Sequence, residues 1–279
     1  MNIPDRTDVL DIIRMALKED LRGGDVTSEA IFSGEETGRA SLTAKQEGIF
    51  CGGFMASYVY EEVDRRVNIT PLAEEGSPVK RGDTVMTFEG PVKSLLMGER
   101  TALNFLQRLC GIATRTHAVV RLLEGTGIEI LDTRKTLPGF RLLDKYAVKA
   151  GGGRNHRMGL YDMVMIKDNH IKAAGSITAA VQKVRSVHDS RFSVEVEVTN
   201  QEETAEALNA GADIIMLDNM DREAMRAAIA LIAGRARIEI SGNMDEEKIL
   251  ALKDLKVDYI SLGALTHSVT AFDLSLKFQ

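Results

Sequence analysis

The chain has 279 residues, 44% of them apolar and 27% charged, and its 35 Lys and Arg against 41 Asp and Glu give a net charge of −6. Such a composition fits a folded protein of one or two domains and excludes a disordered, collagen-like or globally basic nucleic-acid-binding chain. Cys51 and Cys110 are too few for a disulfide scaffold or a multi-cysteine zinc site. The opening MNIPDRTDVLDII has acids where a secretion signal needs basic and apolar runs, and no apolar run of about 18 residues reads as a membrane span, so a cytoplasmic protein is expected.

Taken in chain order, residues from about Thr7 to Leu21 carry Val9, Ile12, Ile13, Ala16 and Leu17 on one helical face. Thr7 or Asp8 is the expected cap and Gly23-Gly24 the expected stop. A strand over residues 40–44, a helix near Met55 to Arg65 and turn-rich β segments from Glu75 to Val85 read as a small α+β domain. Leu95 to Leu123 reads as helix interrupted at Gly111, and the domain boundary is expected there, between the small α+β domain over 1–112 and a second domain over 113–279 whose last residues pack back on the first. Arg100, inside that helical stretch, reads either as a surface arginine paired with Glu99 or Glu124 or as an anion clamp.

After about Gly127 the rhythm changes. Six β-branched runs (128–131, 163–166, 192–198, 214–217, 238–240 and 259–262) alternate with helical stretches at 177–187, 202–209, 222–233 and 246–252. Strand, helix, strand at this spacing predicts parallel pairing, either an open (β/α) barrel of about six to seven strands or a doubly wound sheet. The strand ends favour the barrel. They read Asp132-Thr133-Arg134-Lys135, Lys167-Asp168-Asn169-His170, Glu197, Asp218-Asn219, Ser241-Gly242-Asn243 and Ser261-Leu262-Gly263. In such folds the C-terminal strand ends converge on one face, where active sites lie.

Parity sharpens this picture. In Val194-Glu195-Val196-Glu197-Val198 the valines share one face and the glutamates the other. Buried carboxylates need cations. Glu195 and Glu239 are expected to join an internal ion-pair network with a barrel lysine or arginine, and Glu197 and Asp218, nearer the rim, to serve function. Between Arg134 and Arg157 the chain carries seven Lys or Arg and one acid, a window of +6 in a chain of −6. That window suits an anionic small ligand. Lys145 and Lys149 are expected on a solvated helix face. Arg134, Lys135, His156 and Arg157 sit at a strand end or in the Gly151-Gly152-Gly153 loop, and neither a P-loop nor a dinucleotide fingerprint is present. The segments at Ser241-Gly242-Asn243, with Asn243 as expected cap, and at Leu262-Gly263-Ala264 approach helix starts, where N–H groups can hold phosphate. Cations, carboxylates and a phosphate cradle together suit a multiply anionic substrate and a sugar diphosphate held by Mg²⁺.

The pieces LDTRKT (131–136), GGGRNHR (151–157), IKDNHI (166–171), EVEV (195–198), MLDNM (216–220) and LGALTHS (262–268), with residues 19–28 before them, resemble the quinolinate phosphoribosyltransferase family over nearly the whole chain. Leu137 and Phe140 stand where the family pattern leads one to expect Thr and Leu. The resemblance implies an α/β sandwich plus an open barrel, a homodimer or a multiple of it, and Mg²⁺ as cofactor. It implies transfer of phosphoribosyl from phosphoribosyl pyrophosphate to quinolinate with loss of CO₂, in de novo NAD biosynthesis. It also implies roles. Arg100 clamps a carboxylate in the neighbouring subunit's site. Thr133, Arg134, Lys135, His156, Arg157 and Lys167 line the quinolinate and diphosphate pocket. Glu197 and Asp218 hold the ribose and the Mg²⁺-diphosphate, and Ser241, Gly242, Asn243, Ser261, Leu262, Gly263 and His267 the 5′-phosphate side. Lys135, Lys167, Glu197 and Asp218 are the catalytic candidates. The alternatives are a molybdate-transport-associated paralogue of the same fold and a non-catalytic sensor of a phosphate ligand.

Overall fold

The structure, a computed structural model, describes residues 2–279; Met1 lies outside the described residues. Its chain begins α1 (Arg6–Leu21), α2 (Val26–Ile31), β1 (Thr37–Ala44), β2 (Gly48–Ile49), α3 (Gly53–Val63), β3 (Asn68–Pro71), β4 (Pro78–Val79), β5 (Thr84–Pro91) and α4 (Val92–Leu122). It continues β6 (Glu129–Leu131), α5 (Arg141–Ala150), β7 (Val164–Ile166), α6 (Asp168–Ala174), α7 (Ile177–His188), β8 (Val194–Val198), α8 (Gln201–Asn209) and β9 (Ile214–Asp218). It ends α9 (Arg222–Ile232), β10 (Arg237–Ser241), α10 (Glu246–Ala251), β11 (Tyr259–Ser261), α11 (Ala264–His267) and β12 (Leu274–Phe278). No helix among the described residues is long and apolar enough to cross a membrane.

Two units interleave in the chain. One takes the residues up to Ala118, 136–152 and Leu265–Gln279; the other takes Val119–Lys135 and Gly153–Ala264.

The first unit is built on an antiparallel sheet ordered β12-β1-β5-β3. The chain end supplies its edge, with Leu42 opposite Leu276. Helix α1 starts on Asp5, which accepts the Thr7 N–H, and its C-cap is Arg22, so the cap lies earlier than Thr7 and the stop is not the glycine pair. Asp5 takes the cap because its carboxylate reaches the free amide two residues on. Helix α4 runs through Gly111 without a break. A Cβ at Gly111 would lie 2.2 Å from the Thr270 carbonyl, so the glycine admits the returning chain end rather than ending the helix.

The basic window contributes α5 to this unit, the helix expected to carry Lys145 and Lys149. Its Asp144 is buried and takes a bidentate pair from Arg108, Nε to Oδ1 and a terminal nitrogen to Oδ2, both 2.8 Å. Arg108 also donates to the Thr266 carbonyl at 3.0 Å. Lys145, expected on a solvated face, is 1% exposed, whereas Lys149 is exposed. Leu143, Tyr146, Ala147 and Val148 are buried with Lys145, so its stem is enclosed by the apolar side of the helix. Phe140 stacks on Phe105 with centroids 5.7 Å apart.

The second unit is a parallel sheet ordered β6-β11-β10-β9-β8-β7. Register sets its C-terminal ends side by side: Ser261 opposite Leu131, Ser241 opposite Asp218, Val198 opposite Leu217 and Ile166 opposite Val196. Val194, Val196 and Val198 are fully buried, as the parity of β8 requires. Burying each valine side chain is worth roughly 1.5–3 kcal/mol. A further segment lies beside β6. Arg154 bridges Leu131 in parallel fashion, donating its N–H to the Ile130 carbonyl at 2.8 Å and accepting from the Asp132 N–H at 3.2 Å. The Arg157 guanidinium then donates to the Met163 carbonyl just before β7, at 3.2 Å. Residues 154–157 thus link β6 to the residue before β7, while the six-stranded sheet itself stays open.

Candidate active site

The C-terminal strand ends of the second unit carry the charged rim that the sequence suggests. Lys167, after β7, donates to Glu197 of β8 across 2.7 Å, with the lysine 44% and the glutamate 17% exposed. Asp218, half-buried at the end of β9, accepts from the Asn219 amide at 2.9 Å. Thr133 accepts the Lys135 N–H at 3.1 Å and shapes the turn after β6; Lys135 itself is exposed. His170 accepts the Lys167 N–H at 3.1 Å through Nδ1, which fixes the turn from β7 into α6.

Arg134 and Arg157 are half-buried neighbours. Burial first and the Arg134 charge second hold the Arg157 guanidinium below its ordinary value, and Glu195 and Asp162 only partly offset them. Two cations in mutual repulsion, partly out of water, form a local electrostatic cost that a dianion would relieve.

Beneath the rim is a buried polar floor. Asp132 is 0% exposed and accepts from the Asn155 amide at 2.6 Å and the His156 N–H at 2.8 Å. His156 points its Nε2 at two buried carboxylates, 3.0 Å from Glu195 and 3.5 Å from Glu239. The internal partner is therefore a histidine, not the lysine or arginine expected. Apart from this shared imidazole, no donor among the described residues reaches either carboxylate. The contact is one of charge and distance rather than an aligned hydrogen bond.

Burial raises the Glu195 carboxyl to about 7; the His156 contact opposes the rise and the Glu239 charge adds to it. On His156, burial disfavours charge, but the two carboxylates outweigh it and would raise the ring to about 9. Against this, the Arg157 N–H donates to Nδ1 at 2.7 Å, which requires a lone pair there and leaves the proton on Nε2. A second proton would set N–H against N–H. The hydrogen bond prevails, because a Glu195 that is itself half-protonated near neutrality weakens the field that would charge the ring.

The third region lies after β9 and β10. Asn219 and Asn243 have positive φ of 51° and 40°, and Gly242 sits at 110°. A Cβ on Gly242 would lie 2.2 Å from the Asn219 amide oxygen, so only glycine admits this approach. The Asn219 N–H bonds the Ser241 carbonyl at 3.1 Å. Asn243 is not the helix cap: Asp245 caps α10 by accepting the Lys248 N–H, with Glu246 and Glu247 in the first turn. Those carboxylates make the start of α10 a poor place for phosphate. Ser261 is buried, and Gly263 is half-buried. Leu262 is buried and its N–H is taken by the Leu131 carbonyl at 2.9 Å, so neither its side chain nor its amide is available to a ligand.

The strand ends of the second unit therefore gather Thr133, Arg134, Lys135, His156, Arg157, Lys167, Glu197, Asp218, Ser241, Gly242, Asn243, Ser261 and Gly263. Arg100 and His267 belong to the first unit. Arg100 is exposed on α4 and makes no ion pair among the described residues; Glu124 instead meets Arg121 at 3.9 Å. His267 is exposed and its Nδ1 meets the Ser268 hydroxyl at 2.7 Å. Sequence reasoning missed Asp132 as an anchor and His156 as the partner of Glu195 and Glu239. The signal for Asp132 was its place directly after the last residue of β6.

Two family models match the chain: "Quinolinate phosphoribosyl transferase, N-terminal domain" over residues 25–110 and the corresponding C-terminal domain over 112–277. A Bacillus subtilis protein called probable nicotinate-nucleotide pyrophosphorylase [carboxylating] is 45% identical, across 92% of this chain and 89% of its own. A mitochondrial quinolinate phosphoribosyltransferase [decarboxylating] of Nicotiana tabacum is 40% identical across 98% and 82%. The crystal structure of NadC from Streptococcus pyogenes superposes with a TM-score of 0.96 at 42% identity, covering all of both chains.

Proposed function

The chain belongs to the quinolinate phosphoribosyl transferase family, and from that premise we propose that it converts quinolinate and phosphoribosyl pyrophosphate into nicotinate mononucleotide, diphosphate and CO₂, a step of NAD biosynthesis. The observation that carries the reading is the half-buried Arg134–Arg157 pair at the C-terminal strand ends of a parallel sheet, where burial and the Arg134 charge hold the Arg157 guanidinium below its ordinary value.

Quinolinate brings two carboxylates, and guanidinium forks bind carboxylates bidentately. Arg134 and Arg157 hold them. The pyridine nitrogen then attacks C1 of the ribose as the diphosphate leaves, through a transition state with positive charge on the sugar. Lys167 and Lys135 face the departing diphosphate with positive charge, and Glu197, already partnered by Lys167, sets a negative charge against the ribosyl cation. Transfer leaves a pyridinium, whose positive nitrogen stabilises the electron pair left on the adjacent ring carbon when the 2-carboxylate departs as CO₂. The ring carbon left behind takes up a proton. No covalent enzyme intermediate is needed.

Glu197 and Asp218 end adjacent strands and are hard oxygen donors of the type Mg²⁺ accepts, so they fit a magnesium ion shared with the substrate diphosphate, which would offset charge on the leaving group. The turn of Ser241, Gly242 and Asn243, with Ser261 and Gly263, serves the 5′-phosphate side. The working enzyme is a homodimer or a multiple of it, in which Arg100 serves the neighbouring subunit's quinolinate; an exposed arginine without an ion pair supports this. Residence in the cytoplasm completes the proposal.

The test is direct. Purified protein with quinolinate, phosphoribosyl pyrophosphate and Mg²⁺ should release nicotinate mononucleotide and CO₂ in equal amounts. Nicotinate in place of quinolinate should give no product. Absence of product with quinolinate at any Mg²⁺ concentration would overturn the reading. Sedimentation of an Arg100→Ala variant mixed with an otherwise inactive subunit tests the dimer: restored activity in the mixed species is expected if Arg100 acts across subunits.

A further inference from the structure

His156 carries a histidine's usual expectation, a ring nitrogen offered to substrate. Its surroundings leave neither nitrogen for one. Nδ1 accepts the Arg157 N–H at 2.7 Å, and Nε2 lies between Glu195 and Glu239 at 3.0 and 3.5 Å. The side chain is only 6% exposed. Its backbone N–H is held by Asp132 at 2.8 Å.

We infer that His156 is a positioning residue and not a substrate ligand: its imidazole ties the 154–157 segment to the barrel interior and so aims the Arg157 guanidinium. The inference rests on the quinolinate reading for its functional consequence, though not for its geometry.

Three connections make the segment a stave with one free side chain. Arg154 is locked to β6 through its backbone. Asn155 and the His156 N–H are locked to Asp132. The His156 ring reaches across the interior to β8 and β10. What remains is Arg157, whose amide is held by the ring and whose guanidinium is steadied by the Met163 carbonyl at 3.2 Å. A guanidinium fork binds a carboxylate well only when its plane is fixed beforehand, so a support of this kind acts on affinity for the anion. Glu195 also offsets part of the cost on Arg157, as does Asp162.

The same three groups, His156, Glu195 and Glu239, have ligand atoms within 4.8 Å of one another and could be read as a metal site. The Nδ1 bond argues otherwise. A metal on Nε2 requires that nitrogen to lose its proton, leaving the proton on Nδ1, where the Arg157 N–H already points. The neighbouring guanidiniums of Arg134 and Arg157 would also repel a cation.

The experiment has a spectroscopic and a kinetic arm. With five histidines in the chain, long-range ¹H–¹⁵N correlation resolves each ring, and His156→Phe assigns its signal by loss. Wild-type protein should show one ring as the Nε2–H tautomer, unchanged when quinolinate is added to saturation. A ring signal that moves on saturation, or an Nε2 without a proton in protein carrying a stoichiometric divalent ion, would overturn the inference. In the kinetic arm, His156→Phe should raise KM for quinolinate roughly ten- to a hundredfold while KM for phosphoribosyl pyrophosphate stays within about twofold. In an Arg157→Ala background the same substitution should add less than about twofold, because nothing remains to aim. Additive losses would make His156 an independent ligand and overturn the proposal. Inactive wild-type protein would sink the functional reading alone, since the tautomer is read without turnover. If His156→Phe fails to fold, the wild-type tautomer and its indifference to quinolinate still decide the matter.

Discussion

Each unit buries a carboxylate against a basic group, and the two arrangements differ in balance. Asp144 meets one guanidinium, with two hydrogen bonds of 2.8 Å, and a further donor of that guanidinium reaches the Thr266 carbonyl. Charge and hydrogen-bonding capacity are matched. Glu195 and Glu239 share one imidazole, and no other donor among the described residues satisfies their oxygens. The first arrangement is closed and can serve only the fold. The second is short of positive charge by itself and is offset in part by the Arg157 guanidinium. A matched buried pair therefore marks architecture, and an unmatched one marks a place where the fold is coupled to something outside it.

The sharpest way to break the comparison is to remove one partner on each side. Asp144→Ala leaves the Arg108 guanidinium buried without its partner and should destabilise the protein by about 3–5 kcal/mol, seen as a large fall in Tm. Glu195→Gln replaces a carboxyl already inclined to hold a proton and should cost less than about 1 kcal/mol. Equal losses would mean that both clusters are structural. Next in size is the rim. Arg134→Ala should lower kcat/KM for quinolinate by roughly two decades, since a charge-assisted pair is worth about 2–3 kcal/mol, with Tm little changed. Unaltered kinetics would remove Arg134 from the pocket. Smaller still, Gly242→Ala puts a Cβ against Asn219 at a φ of 110°. It should raise KM for phosphoribosyl pyrophosphate about fivefold, the cost of strain on the order of 1 kcal/mol, and leave KM for quinolinate unchanged. Equal shifts in both would mean general damage rather than a phosphate-side turn.

The rim was legible in the sequence because it obeys local rules. Strand parity set the valines of β8 apart from its glutamates, and the polar strand endings fell where parallel strands end together. What the sequence did not disclose depends on contacts between distant segments. Gly111 reads as a helix break in one dimension; in three it is the space through which Thr270 passes. The charges of the 134–157 window pointed to a solvated face on α5, whereas its Lys145 is enclosed. Most telling is His156. Period and charge showed that Glu195 and Glu239 needed a partner, but the partner arrives on a segment that pairs with β6 through its backbone, and backbone pairing leaves no mark on side-chain pattern.

The finest test of the comparison uses pH. Asp144 keeps its guanidinium partner at every pH where the protein is folded, so it should contribute no slope near neutrality. Glu195 should. Its folded carboxyl titrates at about 7 against an ordinary value of 4.5. Between those values the folded chain binds a proton that the unfolded chain has released, and stability must therefore fall as pH rises through that window. Below the window both states hold the proton and the stabilisation is complete; above it both have lost it and the slope vanishes. Glu195→Gln cannot titrate. The Tm difference, wild type minus variant, measured in steps from pH 5 to pH 7.5, should thus decline steadily and then level off. Parallel curves would show that water reaches the Glu195 carboxyl, and the distinction between a closed pair and an open cluster would fall with it.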